Sequence, residues 1–376
     1  MATKVLQVLS STNVNSGIAN VVMNYYRNID REKVQFDFLI FWEAPKNYNE
    51  EIKSLGGNVY YFTKPGLKTF FKAKKELKAF FSQHKDEYDI IHCHEILVAK
   101  QVFKYARKYS RPVCISHSHN SRLADGFIKQ VRNRLLVTGL GKKSDYCFAC
   151  SKEAGQNAFG KFDLTKDKYK VIYNSINLPR FKFSEEGREI VRKEFGIEDG
   201  LLLGNIGRLC FQKNQLFAIK VLQEIIKTKQ DAKLLIVGEG QDKEKLQEYV
   251  RENSLQENVI FTGIRKDVPE LLSAMDCFVF PSVYEGLPVG LVEAQASGVK
   301  CFCFESITSE VYLANSLVVF KNDDSPLVWA NKIIESLDDN VDRNKGYEQV
   351  KAKGFDIKDS AKELEKIYFE IKSERV

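Results

Sequence analysis

Hydrophobic period changes repeatedly along this chain, and that limits its fold more than any single motif does. Apolar runs such as "KVLQVLS", "FDFLIF" and "YDIIHCH" read as strands, while "ANVVMNYYRNI" and "ILVAKQVFKYARKY" repeat their apolar residues at helical spacing. Alternation of this kind is the βαβ pattern of a mostly parallel sheet covered by helices, an α/β fold. One series runs from the first strand to "YKVIYNSI", and a second runs from "LLLGNIGRL" to "CFVFPS". Between them "NLPRFKFSEEG" reads as a linker, its proline and polar residues separating two periodic regions. The chain of 376 residues is too long for one ordinary core and divides into domains over 1–178 and 179–355. Residues 356–376, with "DSAKELEKIYFEIKS", form a charged amphipathic helix that is either a lid on one domain or, as expected here, packs back across the interdomain seam. Two similar halves leave a cleft where ligands commonly bind.

Composition excludes several classes. Apolar residues at 44% suffice for two cores, and 28% charged residues with eight prolines argue against a disordered or fibrous chain. The longest apolar runs fall far short of the roughly 18 residues that a spanning helix needs. The opening "MATKVLQVLSS" runs straight into Asn13, Asn15 and Gly17, so it reads as a first strand and implies a cytoplasmic protein. Cys93, Cys114, Cys147, Cys277, Cys301 and Cys303 fall in or beside strand-like runs, where a thiol behaves as a small hydrophobe. Cys147-x-x-Cys150 lacks a second metal pair at suitable spacing and reads as structural.

The formal charge of +7 suits anionic lipid, phosphorylated ligands or nucleic acid, but no RNP-like aromatic pair, zinc-finger spacing or basic zipper supports nucleic acid. Residues 64–85 hold seven lysines against one glutamate, with Phe70, Phe71, Leu77, Phe80 and Phe81 at helical spacing. Such a helix could lie on a membrane surface, or equally pack its phenylalanines against the sheet. A second basic stretch over 122–143 surrounds Phe127, Ile128 and Val131. Two such segments favour peripheral association with an anionic membrane surface.

The chemistry concentrates in the second half. Behind "CFVFPS" comes "VYEGLPVGLVEAQASG", in which Pro288 favours a helix starting near it. Glu285 then lies in a turn, Glu293 lies on the helix, and the amides of Gly286, Leu287, Pro288 and Val289 surround the helix start, a site for phosphate oxygen. Proline lacks an N–H, so the donors there are its neighbours. The two carboxylates are acceptors suited to sugar or ribose hydroxyls. In "GNIGRLCFQKN" Gly204 and Gly207 allow close backbone approach, and Arg208 and Lys213 can neutralise a diphosphate. Neither GxxxxGK[ST] nor GxGxxG occurs, which disfavours ATP hydrolysis and the usual dinucleotide enzymes. In the first half, Gly17 could bring backbone near a diphosphate, and His119 projects at a strand end. His92, His94, His117 and His119 form two alternating pairs without a carboxylate to complete a metal site, and no Asp-x-Asp offers a metal-bridged phosphate site.

Together these stretches resemble the retaining glycosyltransferases of family four, with the GT-B architecture of two Rossmann-like domains facing each other across a cleft. The resemblance covers nearly the whole chain and is most specific from Glu285 to Gly298, an E-x7-E region. "GNIGRLCFQKN", "KLLIVGEG", "NVIFTG" and "VPELLSAMDCFVFPS" support it, and "SGIANVVMNYYRNIDREKVQFDFLIF" with "SHSHNSR" looks like the capsular and exopolysaccharide branch. It implies that Glu293 bonds ribose hydroxyls, Glu285 and His119 lie by the donor sugar, and Arg208 and Lys213 hold the diphosphate. Amides after Glu285 and at Gly17 would assist, and Ser151 would be a lesser contact. It further implies a nucleotide-sugar donor, UDP-linked by family habit, a lipid-linked or saccharide acceptor, and no metal cofactor. Ser16-Gly17 and Asn174-Ser175 depart from the family's Gly-Gly and Asn-Gly. A sugar-nucleotide epimerase or phosphorylase, or an inactive partner of a true transferase, remain alternatives.

Overall fold

The structure is a computed structural model that describes residues 2–66, 68–124, 126–339 and 342–374. It consists of two compact units, one of Met1–Ser175 with Ile357–Val376 and the other of Ile176–Asp356. The division expected at 178/179 falls three residues earlier.

The first unit is built on seven parallel strands: β1 Thr3–Leu9, β2 Val34–Ile40, β3 Val59–Tyr61, β4 Ile90–Cys93, β5 Val113–Ser118, β6 Tyr146–Ala149 and β7 Tyr169–Val171. Their order is β3-β2-β1-β4-β5-β6-β7. The second unit has six: β8 Leu202–Ile206, β9 Lys233–Val237, β10 Val259–Gly263, β11 Cys277–Phe280, β12 Lys300–Phe304 and β13 Leu317–Phe320, in the order β10-β9-β8-β11-β12-β13. All the ladders are parallel. Central strands such as "CFVF" and "KLLIV" are buried almost throughout, as strands with helices on both faces must be. In each sheet the strand order reverses beside the first strand, at β1/β4 and β8/β11. Loops leaving the carboxyl ends of those pairs flank the crevice where α/β sheets bind ligands.

The expected linker is structured. Pro179 sits in the first turn of a 3-10 segment, Leu178–Phe181, and Ser184 caps the helix Glu185–Glu194 by accepting from Gly187 N at 3.1 Å. The last helix, Ile357–Ser373, packs within the first unit. Tyr368 is fully buried there, Glu365 accepts from Asp30 N at 2.6 Å, and Lys372 pairs with Asp89 at 2.9 Å.

The phenylalanine stripe of residues 64–85 divides. In the helix Phe70–Gln83, Leu77, Phe80 and Phe81 are buried in the core against β4 and its neighbours, and only Phe70 and Phe71 remain exposed. Its apolar face covers the sheet. The helix Phe127–Val137 is oriented the other way. Asn133, which donates to Leu123 O at 2.8 Å, and Val137 are its buried residues, while Phe127, Ile128 and Leu135 are 82%, 83% and 71% exposed.

Candidate active site

The strongest cluster lies at the β8/β11 switch of the second unit. Asn205, buried in β8, donates to Val279 O at 2.8 Å and ties the two strands together. Beyond β8 the chain turns through Gly207, Arg208 and Leu209 into a 3-10 turn, Phe211–Lys213. Lys213 Nζ pairs with Glu285 Oε1 at 2.6 Å and sits 4.9 Å from the centroid of the Phe280 ring. Gln212 fastens the same two loops: its amide donates to Tyr284 O at 3.0 Å and Glu285 Oε2 at 3.3 Å, and its carbonyl accepts from Val283 N at 2.9 Å. A cation and a carboxylate from separate loops are thus held in one place. Arg208 stands beside them, exposed, with its carbonyl held by Gln215 at 3.1 Å and its guanidinium without a hydrogen bond or ion pair among the described residues.

Close packing of backbone holds this loop. Gly207 N donates to Val237 O at 2.9 Å and Leu209 N to Glu239 O at 3.0 Å. A Cβ on Gly238 would fall 2.1 Å from Gly207 O, and one on Gly240 would fall 2.1 Å from Leu209 O. Both glycines of "VGEG" are therefore required by the approach of two loops, a role that local pattern did not assign them. Gly204 proves to be a core residue instead of a ligand approach, since a Cβ there would lie 2.1 Å from Met275 Sδ.

Past Glu285 the buried segment Gly286, Leu287 and Pro288 leads into the helix Val289–Ala296, with Pro288 as its N-cap. No side chain among the described residues caps this end, so the first-turn amides of Val289 and Gly290 point along the axis with the positive end of the helix dipole. Glu293 is half-buried one turn on. Burial pushes its carboxyl up to about 7, opposed by the charge of Arg180. Arg208, Lys213, Glu285 and Glu293 therefore belong to one end of one sheet.

The first unit assembles a second cluster that the sequence left as two unrelated histidine pairs. Gln7 of β1 pairs in register with His92 of β4, and β5 lies beside β4, so Gln7, His92, His94, His117 and His119 share one face of the sheet. The four rings stack, with centroids 4.1 Å apart for His117 and His119 and 4.3 Å for His92 and His94. His92, His94 and His117 each bring a nitrogen within 4.8 Å of the others, close enough to suggest a metal site. Near-parallel ring planes, 12° apart for His92 and His117 and 24° for His92 and His94, keep their in-plane lone pairs from converging on one ion. Those nitrogens also bond elsewhere, His92 Nε2 to His117 Nδ1 at 3.1 Å and His94 Nδ1 to His119 Nε2 at 2.7 Å. Burial drives His92 down to about 3 and His119 to about 4, with Asn174 opposing the fall at His119; His94 and His117 lie well below the usual imidazole range for the same reason.

His94 and His119 line a cavity of about 210 Å³ with Ser11, Ser16, Asn120 and Arg122. Gly17 begins the helix Gly17–Asn28 beside it, and a Cβ there would meet nothing within 4 Å. Ser16 caps this helix through Ala19 N, which explains a serine where the resemblance leads one to expect glycine. Ser151 is fully buried, and its hydroxyl caps the helix Lys152–Phe159 by accepting from Ala154 N at 3.2 Å. A cavity of about 770 Å³ in the second unit lies at the opposite, amino ends of the strands, where Arg188 and Arg192 are committed to Asp276.

The chain matches the family model described as Glycosyltransferase Family 4 over residues 15–180 and that described as Glycosyl transferases group 1 over residues 187–353. It is 33% identical over 335 residues to EpsF of Bacillus subtilis (strain 168), named as a glycosyltransferase, covering 88% of this chain and 86% of EpsF. It is 25% identical over 377 residues to CapH of Staphylococcus aureus, named as a capsular polysaccharide biosynthesis glycosyltransferase, covering 97% and 98%. HepE of Anabaena, solved with UDP and glucose, superposes with a TM-score of 0.77 at 18% identity, over 97% of this chain and 98% of HepE, a likeness of fold. One model matched by each half, and identity with EpsF along most of both chains, make this chain a glycosyltransferase of family 4 with the GT-B fold.

Proposed function

We propose that the protein transfers a glycosyl group, with retention at the anomeric carbon, from a UDP-linked sugar to a hydroxyl of a lipid-linked or saccharide acceptor in polysaccharide biosynthesis. The observation that carries this is the grouping of Lys213, Glu285 and Arg208 at the β8/β11 switch beside an uncapped helix start. Arg208 and Lys213 neutralise charge developing on the departing diphosphate, where a fixed positive field has most effect. The backbone amides around Pro288, those of Gly286, Val289 and Gly290, serve as donors to the diphosphate, Glu293 accepts from the ribose, and Glu285 and His119 contact the donor sugar. The leaving diphosphate assists deprotonation of the acceptor as the sugar passes through an oxocarbenium-like state, and no metal is needed. CapH supports the polysaccharide setting, and HepE supports UDP as the nucleotide. The test is mass spectrometry of the full chain with a panel of nucleotide sugars, with and without lipid-linked acceptors. Acceptor-dependent release from one donor is expected; conversion without acceptor would point to an epimerase, and no nucleotide binding to an accessory protein.

The same reading takes the acceptor from a membrane surface, with the enzyme peripheral on its cytoplasmic face. No helix among the described residues is long and apolar enough to cross a membrane. None of the eight cysteines is in a disulfide, which suits a reducing compartment. On the helix Phe127–Val137, Phe127, Ile128, Val131 and Leu135 form one exposed stripe with Arg132 and Arg134 at its flanks, and Gly126 to Lys143 contain no acidic residue. Apolar side chains between cations match the acyl boundary and headgroups of an anionic leaflet. Phe127→Ser with Ile128→Ser and Leu135→Ser is expected to reduce sedimentation with phosphatidylglycerol vesicles about tenfold or more. Replacing Phe70, Phe71, Lys74 and Lys75 should have a smaller effect, since most of that stripe is core. Unchanged sedimentation of the first variant would contradict the surface.

A further inference from the structure

We infer that Gln7 and Tyr368 impose a single hydrogen-bond direction on all four buried histidines, so that His119 carries its proton on Nε2 and keeps Nδ1 as an acceptor. The links are continuous. Gln7 Oε1 meets His94 Nε2 at 2.8 Å, and His94 Nδ1 meets His119 Nε2 at 2.7 Å. On the other branch Gln7 Nε2 donates to Tyr368 Oη at 3.3 Å, Tyr368 Oη meets His92 Nδ1 at 2.7 Å, and His92 Nε2 meets His117 Nδ1 at 3.1 Å.

Each neutral imidazole has one donor and one acceptor, so fixing one end fixes the rest. A carboxamide oxygen can only accept, hence His94 donates to Gln7 from Nε2. His94 Nδ1 is then an acceptor, and His119 must donate to it from Nε2. Tyr368, having accepted from Gln7, has its hydroxyl proton left for His92 Nδ1. The 2.7 Å separation there suits an O–H donor better than an imidazole N–H, whose bonds to oxygen centre near 2.9–3.0 Å. His92 then donates from Nε2 to His117, and the branch ends at His117 Nε2, which is buried without a hydrogen-bond partner among the described residues. Burial keeps all four rings neutral, so each carries one N–H and one acceptor nitrogen.

The consequence for catalysis rests on the glycosyl-transfer reading; the tautomer itself does not. With its one proton committed to His94, His119 can accept a hydrogen bond at Nδ1 but cannot deliver a proton to a leaving group. Its part is to hold a hydroxyl. Gln7, His94 and Tyr368 are positioning residues, and Tyr368 brings the C-terminal helix into the arrangement.

Imidazole ¹⁵N–¹H correlation spectra of the labelled full chain test this directly. The wild type should show four Nε2–H tautomers, His119 among them. Tyr368→Phe removes the hydroxyl that accepts from Gln7 Nε2 and so holds the Gln7 oxygen toward His94; with the amide free to turn, His119 should show a mixture of tautomers and kcat should fall about tenfold with UDP affinity unchanged. His94→Asn, whose side-chain oxygen replaces the Nδ1 acceptor, should recover most of what His94→Leu loses. An Nδ1–H tautomer at His119 in the wild type, or a Tyr368→Phe spectrum identical to the wild type, overturns the inference. The expected tautomers combined with undiminished transfer by His119→Ala would leave the relay standing and remove the assignment of His119 to the donor sugar.

Discussion

Lys213→Ala is expected to lower glycosyl-transfer turnover at least about 100-fold and to destabilise the second unit by about 3 kcal/mol. The two effects have different origins. Lys213 and Glu285 form an ion pair at 2.6 Å, with 21% and 11% of their side-chain surfaces exposed. Among the described residues, removing the lysine leaves a largely buried carboxylate with the long bond from Gln212 at 3.3 Å as its remaining side-chain partner. Removing both charges together, as Lys213→Met with Glu285→Gln, should restore most of the lost stability, because the penalty comes from the unpaired charge. Turnover should not return, since the cation proposed to face the diphosphate is still missing. Recovery of turnover in the double variant would show that the lysine serves only the loop. Arg208→Ala supplies the contrast. The side chain is exposed and unpaired among the described residues, so stability should stay within about 0.5 kcal/mol while turnover falls at least about tenfold; normal turnover would end its assignment.

Glu293→Gln should make the protein more stable at pH 8 and bind UDP less well. Burial raises the carboxyl from 4.5 to about 7, so the native state holds this proton more tightly than the unfolded chain does. The associated stability is fully present below pH 4.5 and is lost as pH rises through about 7. At roughly 1.4 kcal/mol per unit the loss at pH 8 is about 3 kcal/mol, and an amide that does not ionise avoids it. The second unit's melting transition should therefore rise by several degrees at pH 8, roughly 2–4 °C per kcal/mol, and hardly move at pH 4. UDP affinity should drop about tenfold or more, the scale of a hydrogen bond to a charged group. An equal melting temperature at pH 8 would mean that the carboxyl is well solvated, and undiminished UDP binding would detach it from the ribose.

Much of this site was legible because its residues are close in sequence to the turns that present them. Glu285, Pro288 and Glu293 follow one strand, and Arg208 and Lys213 follow another, so strand-end chemistry pointed to both loops. Pairing of Lys213 with Glu285 was not legible, because it depends on β8 and β11 being neighbours although 70 residues of chain intervene. The histidines failed for the same reason. Spacing of two residues puts His92 with His94 and His117 with His119 on one side of their own strands, but only the β4–β5 ladder brings the pairs together. Ser151, which the resemblance implies as a lesser contact, also caps its own helix. Local pattern cannot tell a hydroxyl aimed at a ligand from one spent on its own helix.

From the sequence alone came two α/β halves, a Gly/Pro turn flanked by two glutamates in the second, and two basic segments in the first. These depend on periodicity and turn chemistry within some ten or twenty residues, which the backbone itself enforces. Tertiary structure alone decided which apolar stripe meets water. Phe80 and Phe81 find a sheet to cover, whereas Phe127, Ile128 and Leu135 do not, although both helices show apolar residues at helical spacing. It also decided that Tyr368 joins Gln7, 361 residues away, in the first unit. Burial and hydrogen bonding across a sheet arise from contacts between distant segments, and no local window of the chain contains them.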